Sequence, residues 1–156
     1  MIHTVGIGEV AISGNSEDRI ITHALGSCVA VTVYCKTNKV AGMIHIALPS
    51  RPSATTHVAK VGYYADEGLE YLIETIQNQY KINIYNASVH IIGGANPSIS
   101  KDIFMIGVRN LQAVKSYLGI RNISYIELDV GGTVSRTVEL NVNDGLISIK
   151  RQPLII

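Results

Sequence analysis

Charge is scarce in this chain of 156 residues. Asp, Glu, Lys and Arg make up 16% of it and nearly cancel, leaving a formal net charge of +1. A nucleic-acid or anionic-membrane surface needs clustered positive charge. The basic residues here are thinly spread, so no nucleic-acid partner is expected. Long hydrophobic runs are also missing: no stretch approaches the roughly 18 residues of a membrane span, so no direct membrane insertion is expected. Met1-Ile2-His3-Thr4-Val5-Gly6 lacks the basic flank, apolar stretch and small-residue cleavage site of an export signal. A cytoplasmic location is the expectation.

Cysteine is nearly absent too, with only Cys28 and Cys35. On one extended strand that spacing covers about 23 Å, whereas a disulfide needs Cα atoms within about 7 Å. Odd spacing also puts the two on opposite faces, so each needs its own explanation. Metal-ligand patterns are lacking. His3, His23, His45, His57 and His90 are scattered, and a zinc site needs three or four converging ligands. Gly93-Gly94-Ala95 lacks the spaced glycines and Lys-Ser/Thr ending of a phosphate loop and reads as a tight turn after a strand. Neither metal nor cofactor is expected.

Hydrophobic residues are plentiful at 47%. A chain of this size buries roughly 70% of its unfolded surface, and nothing resembles a linker or an internal repeat, so residues 1–156 read as a single domain. Val29 to Tyr34 is β-branched and apolar, a buried strand. Lys36-Thr37-Asn38-Lys39 is a polar turn, and Val40 to Leu48 resumes a strand that Pro49 ends. From Asp66, residues Leu69, Leu72, Ile73, Ile76 and Tyr80 mark an amphipathic helix. Val108, Leu111, Val114 and Leu118 mark a second, with Gly119 as its expected C-terminal cap. Ala87 to Ile92 reads as a strand. The tail is all β: Ile123 to Val130, Thr133 to Val142, an Asn143-Asp144-Gly145 turn, then Leu146 to Lys150. The expected fold is a layered α/β domain with two main helices and a largely antiparallel or mixed β-sheet.

The chemistry gathers at Thr22-His23-Ala24-Leu25-Gly26-Ser27-Cys28 and the hairpin that follows. Gly26 lets the backbone approach closely at the turn before Cys28, and free amides at Ser27–Cys28 could hold an oxyanion. With Lys36–Lys39 as the turn, Cys35 pairs with Val40 and opposed residue numbers sum to 75. Cys28 then faces Ala47, and His45 is its diagonal neighbour on the same face, about 7–8 Å away. An imidazole so placed can take the thiol proton and later protonate a leaving amine, and as a cation it would lower the thiol pKa. Thr22 is the nearest polar group to orient the ring. Free cysteine is also among the most buried residue types, a reading that suits Cys35. On physics alone, Cys28 and His45 remain open between a catalytic pair and two structural residues.

At Leu25-Gly26-Ser27-Cys28-Val29-Ala30-Val31 and Met43-Ile44-His45-Ile46-Ala47-Leu48-Pro49 the chain resembles the CheD family of chemotaxis proteins. The similarity continues through Gly6-Ile7-Gly8-Glu9, Tyr64-Ala65-Asp66, Gly93-Gly94-Ala95, Ile106-Gly107-Val108-Arg109-Asn110 and Asp129-Val130-Gly131-Gly132 with Arg136. The resemblance implies a deamidase that converts glutamines of methyl-accepting chemoreceptors to glutamate through a Cys-His thioester mechanism. In it Cys28 is the nucleophile, His45 the base and Thr22 the third residue. It also implies a fold similar to toxin-type deamidases, and binding of the phosphatase CheC. Family members usually carry Gly where this chain has Ala24, and His23 beside it is unusual. After Gly93-Gly94-Ala95 they often carry a bulky apolar residue, where this chain has Asn96-Pro97-Ser98. The rival reading is a regulatory partner of CheC with weak or no deamidase activity. A cysteine protease would need an extended substrate groove, which nothing in the sequence indicates.

Overall fold

A computed structural model describes residues 1–53, 59–96 and 104–154. Its β-strands are β1 (Ile2–Thr4), β2 (Val10–Ser13), β3 (Arg19–Leu25), β4 (Val29–Cys35), β5 (Val40–Ile46), β6 (Ser88–Gly93), β7 (Ile126–Val130), β8 (Val134–Asn141) and β9 (Ile147–Pro153). The helices are α1 (Ala65–Tyr80) and α2 (Ile106–Ile120). The strands form two sheets, ordered β1-β3-β8-β9 and β2-β5-β4-β6-β7. Each sheet mixes antiparallel pairs with one parallel pair, β1–β3 in the first and β6–β7 in the second. The mixed α/β class expected from the sequence is therefore found, with its strands divided between two packed sheets.

The five-stranded sheet lies in the middle. All residues of β4 and β5 are buried, as expected for strands covered on both faces. Alternation along the strands assigns the faces. Val29, Val31, Val33, Cys35, Val40, Ile44 and Ile46 pack with Leu69, Leu72 and Ile76 of α1 and Leu111, Val114 and Leu118 of α2. Ala30, Tyr34, Ala41 and Met43 pack with Ile20, Leu25, Val138 and Leu140 of the four-stranded sheet. Cys35 belongs to the first cluster and Cys28 to the margin of the second, on opposite faces as their spacing requires.

The β4–β5 hairpin has the predicted register, with Cys35 opposite Val40 and Val29 opposite Ile46. Beyond Ile46 the ladder stops. Ala47 and Leu48 both donate their amides to the Tyr63 carbonyl, at 3.0 and 3.1 Å, so β5 is two residues shorter than the apolar pattern suggests. Gly119 is not the cap of α2. The helix ends in a Schellman arrangement, with Ile123 N–H on the Leu118 carbonyl at 2.9 Å and Asn122 N–H on Gly119 at 3.1 Å. Asn122 takes the left-handed conformation at φ 56°, a role asparagine fills when glycine is not there. The final two strands follow the sequence pattern, and the strand expected from Ile123 starts at Ile126.

Strand β3 carries a bulge. Thr22 pairs with Val138 but Leu25 with Arg136, one residue out of step. The extra residue lets Thr22 and Leu25 both face inward while His23 and Ala24 are exposed. Ala24 sits at φ 52° and its N–H donates to Thr137 Oγ1 at 3.1 Å, a backbone state that glycine adopts without a Cβ penalty. Replacing Ala24 with Gly should raise the unfolding free energy by about 0.5–1 kcal/mol, the relief of strain less the extra entropy of the unfolded chain. Urea unfolding of the two proteins checks this; an unchanged or lower stability would show that the bulge holds no strain at Ala24.

Candidate active site

The site forms where the two sheets meet at the end of the β4–β5 hairpin. His45 is opposite Ala30 in the ladder and therefore faces the four-stranded sheet, on the side where Cys28 packs. It is only 3% exposed. Its backbone is fixed from the other edge by the Gly6–Glu9 turn: Gly8 N–H donates to the His45 carbonyl at 2.8 Å, and His45 N–H donates to the Glu9 carbonyl at 3.1 Å. Gly8 sits at φ 79°, and a Cβ there would come within 3.1 Å of Lys60 and 3.2 Å of Tyr63.

Thr22, fully buried on β3, reaches across from the four-stranded sheet. Its Oγ1 lies 2.6 Å from the Val5 carbonyl oxygen and 2.7 Å from His45 Nδ1. A carbonyl can only accept, so the hydroxyl proton goes to Val5. The second contact then requires Nδ1–H of His45 to donate to Oγ1. Neutral His45 is thereby held in the Nδ1–H tautomer, with a lone pair on Nε2. Nε2 is buried and has no hydrogen-bond partner among the described residues. It is the hydroxyl of Thr22 that makes this contact with His45.

Cys28 is half-buried in the turn between β3 and β4, on the face of the five-stranded sheet that His45 also occupies. Three successive carbonyls of the turn are held from one side. Ala95 N–H donates to Gly26 and Gly94 N–H to Cys28, each at 2.9 Å. Asn110 Nδ2 of α2 donates to Ser27 at 3.0 Å. A trans peptide points its N–H opposite to its C=O, and the chain has no cis bonds among the described residues. The Ser27 amide therefore points away from Ala95, and the Cys28 amide away from Asn110.

Burial sets the electrostatics. It pushes the His45 pKa down to about 4, against smaller opposing effects of the Val5 carbonyl and Glu9, and it pushes the Cys28 thiol up. Burial therefore favours the neutral form of both groups. His23, two residues from Cys28's turn in sequence space, is exposed on the bulge. His3 instead bonds Asp18 at 2.7 Å, and His57 and Pro97-Ser98 lie outside the described residues. Among the described residues, no three His, Cys, Asp or Glu side chains converge as a metal site would require.

Sequence reasoning gave no role to Val5, Gly8, Glu9 or Asn110. Asn110 did carry a signal: it is a polar residue on the buried stripe of α2 that includes Leu111, Val114 and Leu118. Arg136, 3% exposed, pairs with Asp129 at 3.2 Å, and Arg151 meets the same carboxylate at 2.6 Å. This ties β7 of one sheet to β8 and β9 of the other, beside Gly131, whose N–H donates to Gly93 at 2.8 Å.

The depressed His45 pKa has a consequence for stability. An unfolded histidine takes its proton near pH 6.5, whereas folded His45 resists protonation down to about 4. Between those values the unfolded state binds more protons, so stability falls as pH drops through the window, by about 3 kcal/mol in all. His90, also pushed down by burial, adds in the same direction. Asp18, lowered from 3.8 to about 2, loses its contribution as pH falls between those two values. Urea unfolding from about pH 7 to about pH 4 should show this decline, and His45→Gln should make it shallower. A flat curve for the parent would mean that His45 is solvated.

A family model described as CheD chemotactic sensory transduction matches residues 47–151. The chain is 39% identical to the probable chemoreceptor glutamine deamidase CheD of Syntrophotalea carbinolica, over 93% of this chain and 91% of that protein. That share of this chain necessarily includes Cys28 and His45, which precede the family-model match. It is 35% identical to the chemoreceptor glutamine deamidase CheD of Thermotoga maritima, over 97% of this chain and 92% of that protein. Among solved structures, YlmD from Geobacillus stearothermophilus aligns with a TM-score of 0.48 at 8% identity, over 77% of this chain and 50% of that one. The family match and the near full-length relatives together establish that the chain belongs to the CheD family.

Proposed function

We propose that this protein is a chemoreceptor glutamine deamidase, a protein-glutamine glutaminase with Cys28 as nucleophile, His45 as base and Thr22 as the residue that orients the base. The observation that carries the reading is the Val5–Thr22–His45 relay, which leaves the Nε2 lone pair of a buried imidazole on the face it shares with Cys28. The names of the relatives supply the substrate: glutamine side chains of chemoreceptors.

In the first half of the reaction, Nε2 takes the thiol proton as Cys28 Sγ bonds to the glutamine side-chain carbon. The carbonyl π electrons move to oxygen, and the Ser27 and Cys28 amides donate to that oxyanion. When the tetrahedral species collapses, the carbon–nitrogen bond breaks and His45 returns the proton to the leaving nitrogen, releasing ammonia and leaving a γ-glutamyl thioester. In the second half, His45 removes a proton from water, hydroxide adds to the thioester carbon, and the sulfur departs and is reprotonated. The product is glutamate, and no cofactor enters either half.

An imidazole with a pKa near 4 gives up its proton readily, which suits delivery to a departing amine. With burial favouring both neutral forms, the proton moves as the bond forms, so stabilisation of the oxyanion carries much of the barrier reduction. The family resemblance adds a CheC-type phosphatase as a second partner and a cytoplasmic setting, where receptor signalling segments would meet the enzyme.

Incubation with a receptor cytoplasmic fragment should produce glutamine-to-glutamate conversions, each a mass gain of about 1 Da. Cys28→Ala should abolish them and Cys35→Ala should keep most of the activity, because Cys35 is buried and donates to Asn38 Oδ1. Equal loss in both would sink the nucleophile assignment. Thr22→Val removes the hydroxyl while preserving shape. It should cost about 1–3 kcal/mol of transition-state stabilisation, roughly 5- to 150-fold in kcat/KM. Activity within about twofold of the parent, at unchanged stability, would rule out the hydroxyl's role.

A further inference from the structure

We infer that Asn110 is a positioning residue for this chemistry: its side-chain amide locks the Cys28 turn to the end of the strand that carries His45. The inference rests on the Cys28–His45 reading above and goes beyond it. Asn110 is fully buried on α2. Nδ2 donates to two backbone carbonyls, Ser27 and Ala47, each at 3.0 Å. Both partners can only accept, so only the NH2 end of the amide can face them, and its two hydrogens are both used. Oδ1 is buried without a partner among the described residues.

The two carbonyls are significant by position. Ser27 precedes the nucleophile and Ala47 lies two residues after the base. They flank the point where the β4–β5 ladder has ended, since Val29 and Ile46 are its last pair and Ala47 has turned away to Tyr63. The Asn110 amide thus joins the two chains where the sheet no longer does. The Ser27 carbonyl and the Cys28 N–H belong to one planar peptide, so holding the carbonyl aims the N–H that would receive the oxyanion.

The helix is brought close enough for this by Gly107, one turn earlier. A Cβ there would lie 2.3 Å from the Ala95 carbonyl oxygen and 2.6 Å from that of Gly94. The first turn of α2 therefore rests on the segment whose amides hold Gly26 and Cys28. Asn110 supplies the remaining contact, on the carbonyl between those two. A misplacement of about 1 Å costs on the order of 100-fold in rate, and loss of one oxyanion donor costs roughly 100- to 1000-fold.

The test compares Asn110→Ala and Asn110→Asp with the parent, per folded molecule, on a receptor fragment. In Asn110→Ala, kcat should fall by about 30-fold or more while KM stays within about threefold. Alkylation of Cys28 by iodoacetamide, a displacement that forms no oxyanion, should change by less than about fivefold. In Asn110→Asp, kcat relative to the parent should rise as pH falls from about 7 to about 5.5, because a protonated carboxyl regains one donor.

An unchanged kcat with a raised KM, a fall in alkylation matching the fall in kcat, or a ratio flat with pH would each overturn the proposal. So would failure of both variants to fold, which would assign Asn110 to the scaffold. Cys28→Ala run in parallel separates the two readings. Activity in Cys28→Ala would sink the nucleophile, whereas its inactivity beside fully active Asn110 variants would sink only the role of Asn110.

Discussion

The single proton on Thr22 Oγ1 is the constraint on which the site depends. It has one place to go, the Val5 carbonyl at 2.6 Å, and this obliges His45 Nδ1 to bring the proton for the second contact at 2.7 Å. The nitrogen of His45 that carries the lone pair is chosen by this arrangement and not by anything on its own strand. The contact also crosses between layers, from β3 of the four-stranded sheet to β5 of the five-stranded one. Val5 follows β1, and β1 is held in register by its parallel pairing with β3 and by His3, which shares Asp18 with Ser13. The tautomer of His45 therefore depends on segments from three parts of the chain, and the packing of the two sheets is a condition of it.

The same burial that fixes the ring also makes both reactive groups reluctant to ionise. A cationic imidazole and an anionic sulfur would each be poorly solvated between two apolar sheet faces. Burial opposes a thiolate at rest, so under the proposed mechanism charge develops only as Cys28 meets a substrate carbonyl. Such a pair resembles a hydroxyl nucleophile with its base more than a preformed thiolate–imidazolium couple. The direction of the Ser27 and Cys28 amides consequently matters more here than it would for a nucleophile already ionised.

How far the sequence revealed this varies along the chain. The hairpin's register was legible because a polar four-residue turn separates two apolar runs and the pairing follows from counting, though the ladder ends at Val29–Ile46, before Cys28 and Ala47. Helix α1 was legible because its apolar stripe is regular. The first 25 residues were not: β1 and β2 are short, and β3 has its alternation broken by the bulge at His23–Ala24. Its partner β8 is more than a hundred residues away in sequence, a pairing that no local pattern announces. Thr22 was singled out by its place before the Gly-Ser-Cys turn and by resemblance, but its acceptor, Val5, was hidden in an apolar stretch. The cap at Asn122 was missed because glycine at 119 offered a more familiar signal, and the left-handed residue came three positions later.

The glycines along the resemblance motifs acquire a physical reason from the same geometry. A Cβ at Gly93 would stand 2.5 Å from the Cys28 carbonyl oxygen, and one at Gly107 would stand 2.3 Å from that of Ala95. Neither distance is tolerated by van der Waals contact, and in both cases the obstructed atom is backbone, which cannot swing aside. A side chain at either place would push β6 off the Cys turn or α2 off the Gly94–Ala95 segment. Either displacement would loosen the hydrogen bonds that hold the Gly26, Ser27 and Cys28 carbonyls. The Cys28 turn is positioned from behind by backbone packed on backbone, so residues on β6 and α2 determine where its amides point.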